Sequence, residues 1–167
     1  MNILVAGTVA IDDIKTPSSS RKGLMGGSAA YASMASSFFA PTRIVGIVGR
    51  DFPEEHVNTL QQRAICTEGI ERSEGESFYW SGEYHENLDE RTTHEVAVNV
   101  LEAYSPKLPV NYQSSEIIVL ANMSPKNQLD VLSQCSSPKF VVADTMDIWI
   151  QMEGDSLGEL LTKIDML

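Results

Sequence analysis

Leu24-Met25-Gly26-Gly27-Ser28-Ala29-Ala30-Tyr31-Ala32-Ser33-Met34-Ala35 joins a polar stretch to a run of small and apolar residues. Two adjacent glycines permit backbone conformations closed to other residues and let a ligand or a neighbouring chain segment approach the main chain closely. The small residues that follow suit the start of a tightly packed helix, expected over Ser28 to Phe39 and ended by Ala40-Pro41, since proline cannot continue it. Taken alone, Gly26-Gly27 is also what a plain turn before a buried helix looks like.

Upstream, Asn2 to Ala6 is a continuous apolar run closed by Gly7, the pattern of a strand buried on both faces of a sheet. Ligands of open α/β sheets bind beyond the carboxyl ends of the strands. Gly7-Thr8-Val9-Ala10-Ile11-Asp12-Asp13 therefore enters a candidate site early. A carboxylate there can accept two hydrogen bonds from neighbouring hydroxyls, which is how a protein grips a vicinal diol; the plainer alternative is a solvated acidic turn.

Downstream the rhythm is strand, helix, strand, helix. Thr16 to Gly23, rich in Pro, Ser, Lys and Arg, reads as an exposed loop; Arg43 to Val48 as a buried strand; Glu54 to Ala64 as a helix with Val57 and Leu60 inward. Aromatic Phe78 to Tyr84, a polar turn over Asn87 to Thr93, and alternating Val96, Val98 and Val100 predict a hairpin over about 77–101 that acts as a lid or faces a partner. An ordinary meander on the main sheet is the alternative. Glu116 to Ala121 and Lys139 to Ala143 read as strands; Pro125 to Gln134, with Leu129 and Leu132 inward, and Ser156 to Lys163 read as helices; Ile164 to Leu167 resembles the first half of another strand. The expected fold is α/β, a doubly wound sheet with helices on both faces and a small β lid, in one unit over 1–167.

Composition narrows the partners. The chain has 167 residues, 43% hydrophobic, with 12 Lys+Arg against 23 Asp+Glu and a formal net charge of −11. No basic stripe balances that charge, which argues against nucleic acid and anionic membrane. Cys66 and Cys135 are isolated, so neither a zinc site nor a disulfide framework is predicted, and reduced, buried thiols are expected. No secretory signal and no membrane span are evident, so the expected location is the cytoplasm.

The order of motifs resembles the ribokinase-like, phosphofructokinase B-type carbohydrate kinases, and specifically the N-terminal half of such an enzyme. The residues are Gly7-Thr8-Val9-Ala10-Ile11-Asp12, Gly26-Gly27-Ser28-Ala29-Ala30-Tyr31 and Gly46-Ile47-Val48-Gly49-Arg50-Asp51. Phe78 to Tyr84 and Asp144-Thr145-Met146-Asp147-Ile148-Trp149 further resemble a subgroup whose substrates are poorly defined. The resemblance implies ATP-dependent, Mg²⁺-assisted transfer of a phosphoryl group to a hydroxymethyl group of a sugar, nucleoside or related polyol. It implies that Asp12 holds substrate hydroxyls, that Gly26 and Gly27 let the backbone close around the acceptor, and that lid strands near 10–16 and 77–101 cover it, leaving open pairing with a second copy through the lid. Tyr31, where the family commonly has Asn, is carried over as a candidate substrate contact. The family's Asp-Thr-x-Gly-Ala-Gly-Asp signature, which supplies the anion hole and the aspartate base, is absent from these 167 residues; no catalytic and no metal-binding residue is therefore assigned within the chain. The expected role is the substrate-binding half of a truncated kinase, inactive alone, with a noncatalytic polyol- or nucleoside-binding module as the alternative. Nicotinamide-dinucleotide binding is disfavoured, because no Gly-x-Gly-x-x-Gly follows the first strand.

Overall fold

The structure, a computed structural model, describes residues 1–167. Its centre is β1 (Ile3–Ala6), whose four residues are all buried. Side chains alternate across a strand, and both faces of β1 are covered. Ile3 and Val5 pack into one apolar cluster with Ala29, Ile44, Val57 and Leu60, whereas Leu4 and Ala6 pack into a second with Val131, Leu157 and Leu160.

Around β1 runs a parallel five-stranded sheet in the order β5-β4-β1-β8-β9. It comprises β4 (Thr42–Val48), β5 (Cys66–Arg72), β8 (Ile117–Leu120) and β9 (Phe140–Ala143). The helices α1 (Ser28–Ser36) and α2 (Glu54–Gln62) cover the first cluster; α3 (Pro125–Ser133) and α5 (Gly154–Leu161) cover the second, with the short α4 (Asp147–Met152) between them in the chain. This is the expected doubly wound arrangement. Ile164–Leu167 contributes one parallel bridge, Met166 to Val142, at the β9 edge. No helix is long and apolar enough to cross a membrane.

A second sheet, ordered β3-β2-β6-β7, stands apart from the first. It is built from two separate excursions: β2 (Ala10–Thr16) and β3 (Ser19–Gly26) between β1 and α1, and β6 (Phe78–Tyr84) and β7 (Arg91–Ala97) between β5 and β8. Parallel pairing of β2 with β6, from Ala10 opposite Phe78 to Lys15 opposite Glu83, joins them.

Several expectations need correction. Thr16 to Gly23 is not a loop: from Ser19 it forms β3, an edge strand whose first five residues are exposed, so nothing forces an apolar alternation there. The strand β5 was not foreseen, because Cys66-Thr67-Glu68-Gly69-Ile70-Glu71-Arg72 is an edge strand with a largely polar sequence. The Asn87 to Thr93 turn ends sooner, at Arg91, and the valine alternation beyond Ala97 gives way to a 3-10 turn over Asn99–Leu101. The β6 aromatics Phe78, Tyr79, Trp80 and Tyr84 are half-buried rather than openly exposed. In α3 the buried positions are Pro125, Gln128 and Val131, while Leu129 and Leu132 are partly buried. The helix α4 was missed, and Cys66 is exposed rather than buried.

The stem of the second excursion is pinned by Asp51. Its Oδ1 accepts both the Ser77 backbone N–H and the Ser77 hydroxyl at 2.8 Å. The same hydroxyl oxygen accepts the Gly49 N–H at 2.9 Å, and the Asn99 amide donates to the Ser77 carbonyl at 2.8 Å. Hydrogen bonds to a charged group contribute about 1.5–3 kcal/mol, more than neutral ones. Asp51→Ala is accordingly expected to lower stability by about that amount in urea unfolding, and to speed amide exchange over Phe78–Tyr84 ahead of β1.

Candidate functional site

The carboxyl ends of β1 and β8 and the start of α1 meet in one hydrogen-bonded knot. The helix α1 begins after Gly27 and has no side-chain cap of its own. Thr8 supplies one from the end of β1: its hydroxyl accepts the Ser28 N–H at 3.0 Å and its carbonyl accepts the Ala29 N–H at 2.9 Å, meeting helix-end donors that would otherwise lack partners. The Ser28 hydroxyl lies 3.0 Å from that of Thr8 and donates to the Asn122 carbonyl at 3.0 Å. Asn122, just past β8, also accepts the Thr8 N–H, while its side-chain oxygen accepts the Trp149 indole N–H at 2.7 Å.

Gly27 has φ 91°, and a Cβ placed there would fall on the Thr8 carbonyl; no other residue type fits without moving the main chain. Gly26 has a different reason to be glycine. A Cβ there would land on the carboxylate of Asp12, so the Asp12 side chain occupies the space that a side chain at Gly26 would take.

Asp12 is half-buried in β2, and none of the hydrogen bonds or ion pairs of the structure reaches its carboxylate. Burial, and secondarily the neighbouring charge of Asp13, pushes its pKa up from 3.8 to about 6, because both disfavour the charged form. Asp13, one residue on, points the other way: its carboxylate accepts the Gly23 N–H at 2.8 Å and lies 3.9 Å from the Lys22 ammonium. One acid of the pair is tied into the β2–β3 hairpin and the other is left free.

Tyr31, on the first turn of α1, is 59% exposed. Its phenol is held above the ordinary range first by partial burial and then by the negative charge of nearby Asp12. Residues opposite one another in neighbouring strands project to the same face, and Trp80 lies opposite Asp12 in the β2–β6 register. Trp80, Gly82 and Tyr84 thus share the Asp12 side. The four residues singled out from the sequence, Asp12, Gly26, Gly27 and Tyr31, converge. Trp80 and Tyr84 were missed as site residues, although their i, i+4 spacing in a strand already put them on one face. Thr8, Ser28 and Asn122 carried no signal, since their role exists only once three distant segments meet.

Asp144 and Asp147 are exposed at the end of β9 and the start of α4. No group of three or more His, Cys, Asp or Glu side chains is arranged to hold a metal ion.

No protein-family model matches the chain. A cytidine kinase of Thermococcus kodakarensis is 25% identical over 143 residues, covering 85% of this chain and 51% of that enzyme. Among solved structures, the nucleoside kinase of Methanocaldococcus jannaschii, an archaeal member of the ribokinase family, superposes with a TM-score of 0.70 at 15% identity, covering 99% of this chain and 60% of its own. The nucleoside kinase of Burkholderia thailandensis in complex with inosine gives 0.74 at 12% identity, covering 97% and 58%. A ribokinase of Cryptococcus neoformans in complex with ADP gives 0.70 at 16% identity, covering 88% and 50%. The ribokinase-like fold expected from the motif order is the fold observed, and the chain spans about half to three fifths of the length of these proteins.

The raised pKa of Asp12 fixes the sign of a stability effect. Between pH 3.8 and 6 the folded state binds more protons than the unfolded state, so stability falls as pH rises through that window. About two pKa units would correspond to nearly 3 kcal/mol, reduced to about 1–2 kcal/mol by solvent screening of a partly exposed group. Asp12→Asn should therefore stabilise the unliganded chain by about 1–2 kcal/mol at pH 7.5 and by nothing at pH 3.5, as read from urea unfolding at the two pH values.

Proposed function

We propose that this chain is the acceptor-binding portion of a ribokinase-like kinase, which phosphorylates a hydroxymethyl group of a sugar, nucleoside or related polyol at the expense of ATP. One observation carries the reading. The half-buried Asp12 carboxylate has no protein partner and fills the space beside Gly26. A buried acceptor group without a donor is costly, and a ligand with two adjacent hydroxyls supplies both donors. Gly27 sets the α1 main chain against Thr8 beside it, and Tyr31 adds a phenol to the rim.

The chain's part in the reaction is positioning. Phosphoryl transfer depends on aligning the acceptor hydroxyl, excluding water and stabilising charge around the transferring group. Asp12 serves the first of these by holding hydroxyls adjacent to the one that reacts, and the second sheet serves the next by lying over the acceptor as a lid. In such a kinase ATP would supply the phosphoryl group and Mg²⁺ would offset its charge. The residues present do not fit either: there is no Gly-Lys-Ser/Thr loop or glycine-rich anion hole in the sequence and no cluster of metal ligands. No step through either group is assigned to this chain.

Three outcomes follow. The ionised form of Asp12 is the one that accepts hydroxyl donors, so acceptor affinity should fall below about pH 6, reaching roughly a tenfold loss one unit lower. At pH 7.5, Asp12→Ala should weaken acceptor binding by about 1.5–3 kcal/mol, while Asp13→Asn leaves it unchanged; calorimetric titration over a sugar and nucleoside panel measures both. An acceptor that binds equally well to wild type and Asp12→Ala would defeat the assignment. Losing one charge-stabilising donor costs about 100- to 1000-fold in rate, so the 167 residues by themselves should give no acceptor-dependent ADP with ATP and Mg²⁺ in a coupled assay.

A further inference from the structure

The second sheet carries the same irregularity twice. Where β2 pairs with β3, Asp12 faces Leu24 but Ile14 faces Arg21, so Lys22 and Gly23 together oppose the single residue Asp13. Where β6 pairs with β7, Ser81 faces Glu95 but Gly82 faces Thr93, and His94 is the extra residue. The two central strands run without a break, with Asp13 opposite Ser81 and Ile14 opposite Gly82. Both bulges therefore fall on one line across the four strands, through Gly23, Asp13, Ser81 and His94. A bulge bends its strand and adds twist; two on one line, one in each edge strand, crease the whole sheet there.

The two sides of the line are held differently. On the near side, the ends of the strands are tied to the α/β body by the Thr8–Ser28 corner and by the Asp51–Ser77 stem. On the far side, no hydrogen bond or ion pair joins residues 14–21 or 82–93 to that body; their polar partners, such as Glu83 for Lys15 at 3.0 Å and Thr92 for His85 at 2.9 Å, lie in the second sheet itself. One bond from the body reaches the line. His56, in the first turn of α2, donates from Nε2 to the Gly23 carbonyl at 2.9 Å, and its ring meets that of buried Phe52 edge to face, with centroids 5.4 Å apart. The Gly23 N–H goes to the Asp13 carboxylate at 2.8 Å. Gly23 has φ 64° and open space where a Cβ would stand, so glycine serves the bend of the backbone here and not close packing.

We infer that the second sheet is hinged within itself: residues 14–21 and 82–93 form a flap that bends about the line from Gly23 to His94, and the His56 imidazole is the latch that sets the flap's resting position. The stem at Gly27 and Ser77 stays fixed, and so do Asp12 and Gly26 on the near side. Movement of the outer hairpins is thereby separated from the placement of the near half, which a rigid sheet turning at its stem does not allow. The hinge and its latch operate with or without a bound acceptor, so they stand or fall apart from the acceptor-binding reading.

Collective hinge motions run on the microsecond-to-millisecond scale, so the test is ¹⁵N relaxation dispersion on the full chain without ligand. Amides along the line, those of Asp13, Gly23, Ser81, Gly82 and His94, should show exchange with one shared rate, while Gly27, Ser77 and Asn99 at the stem stay flat. His56→Ala should raise the population of the displaced state about 2- to 12-fold, the change in equilibrium that one ordinary hydrogen bond carries. His56→Gln, which keeps a donor in the place of Nε2, should restore the wild-type population. Deletion of His94, which evens the β6–β7 register, should quench the exchange, and serves if His56→Ala does not fold by circular dichroism. Exchange centred on the stem, unrelated rates on β3 and β7, flat profiles throughout, or exchange indifferent to the deletion overturns the hinge. A population unchanged in His56→Ala, or raised there and not restored by His56→Gln, overturns the latch.

Discussion

Everything near the site depends on the approach of the α1 main chain to Thr8. That contact requires the positive φ of Gly27 and leaves no room for a Cβ. In return, the hydroxyl and carbonyl of Thr8 take the first free N–H groups of the helix, and Ser28 carries the connection on to the Asn122 carbonyl. Three segments separated by about twenty and about ninety residues become one rigid corner. Helix caps are ordinarily local; here a strand end caps a helix from across the fold, so the helix can start only where the sheet is complete.

This corner positions the second sheet. The β2–β3 hairpin leaves the body at Thr8 and returns at Gly27, both ends of the knot, while the β6–β7 hairpin leaves at Ser77, where Asp51 holds its stem. Neither hairpin alone has enough apolar surface to be stable in water, and a two-stranded unit is marginal. Parallel pairing of β2 with β6 makes them one sheet, and that pairing brings Trp80 opposite Asp12.

The free carboxylate of Asp12 is a local conflict that the rest of the fold tolerates. Elsewhere the Gln128 amide nitrogen donates to the carbonyls of Leu120, Ala121 and Asp144, tying together the ends of β8 and β9, while its own Oε1 is buried without a partner. Asp13 likewise has its backbone and lysine partners. Asp12 differs from its neighbour in being a half-buried acid with a raised pKa and no donor, the kind of perturbed group that marks a candidate functional site.

Local chemistry determined much of this in advance. The apolar run of β1, the helix after the glycine pair, the proline stop at Pro41 and the returning α/β rhythm were legible because each depends on residues adjacent in the chain, whereas Asp12 and Gly26-Gly27 were marked only as candidates by their place beyond the first strand, each having a plain turn as its alternative. The edge strands β3 and β5 were not legible, since a strand with solvent on one side or at its rim needs no apolar alternation. The reason for Gly26 could not be read either: the side chain that fills its place is fourteen residues away and arrives only through the β2–β3 pairing, in which Gly26 faces Ala10 and Leu24 faces Asp12. The Thr8 cap, the Asp51 stem and the placing of Trp80 beside Asp12 are likewise decided by tertiary structure alone, because hydrogen bonds and cross-strand register act through space and leave no periodic trace along the chain.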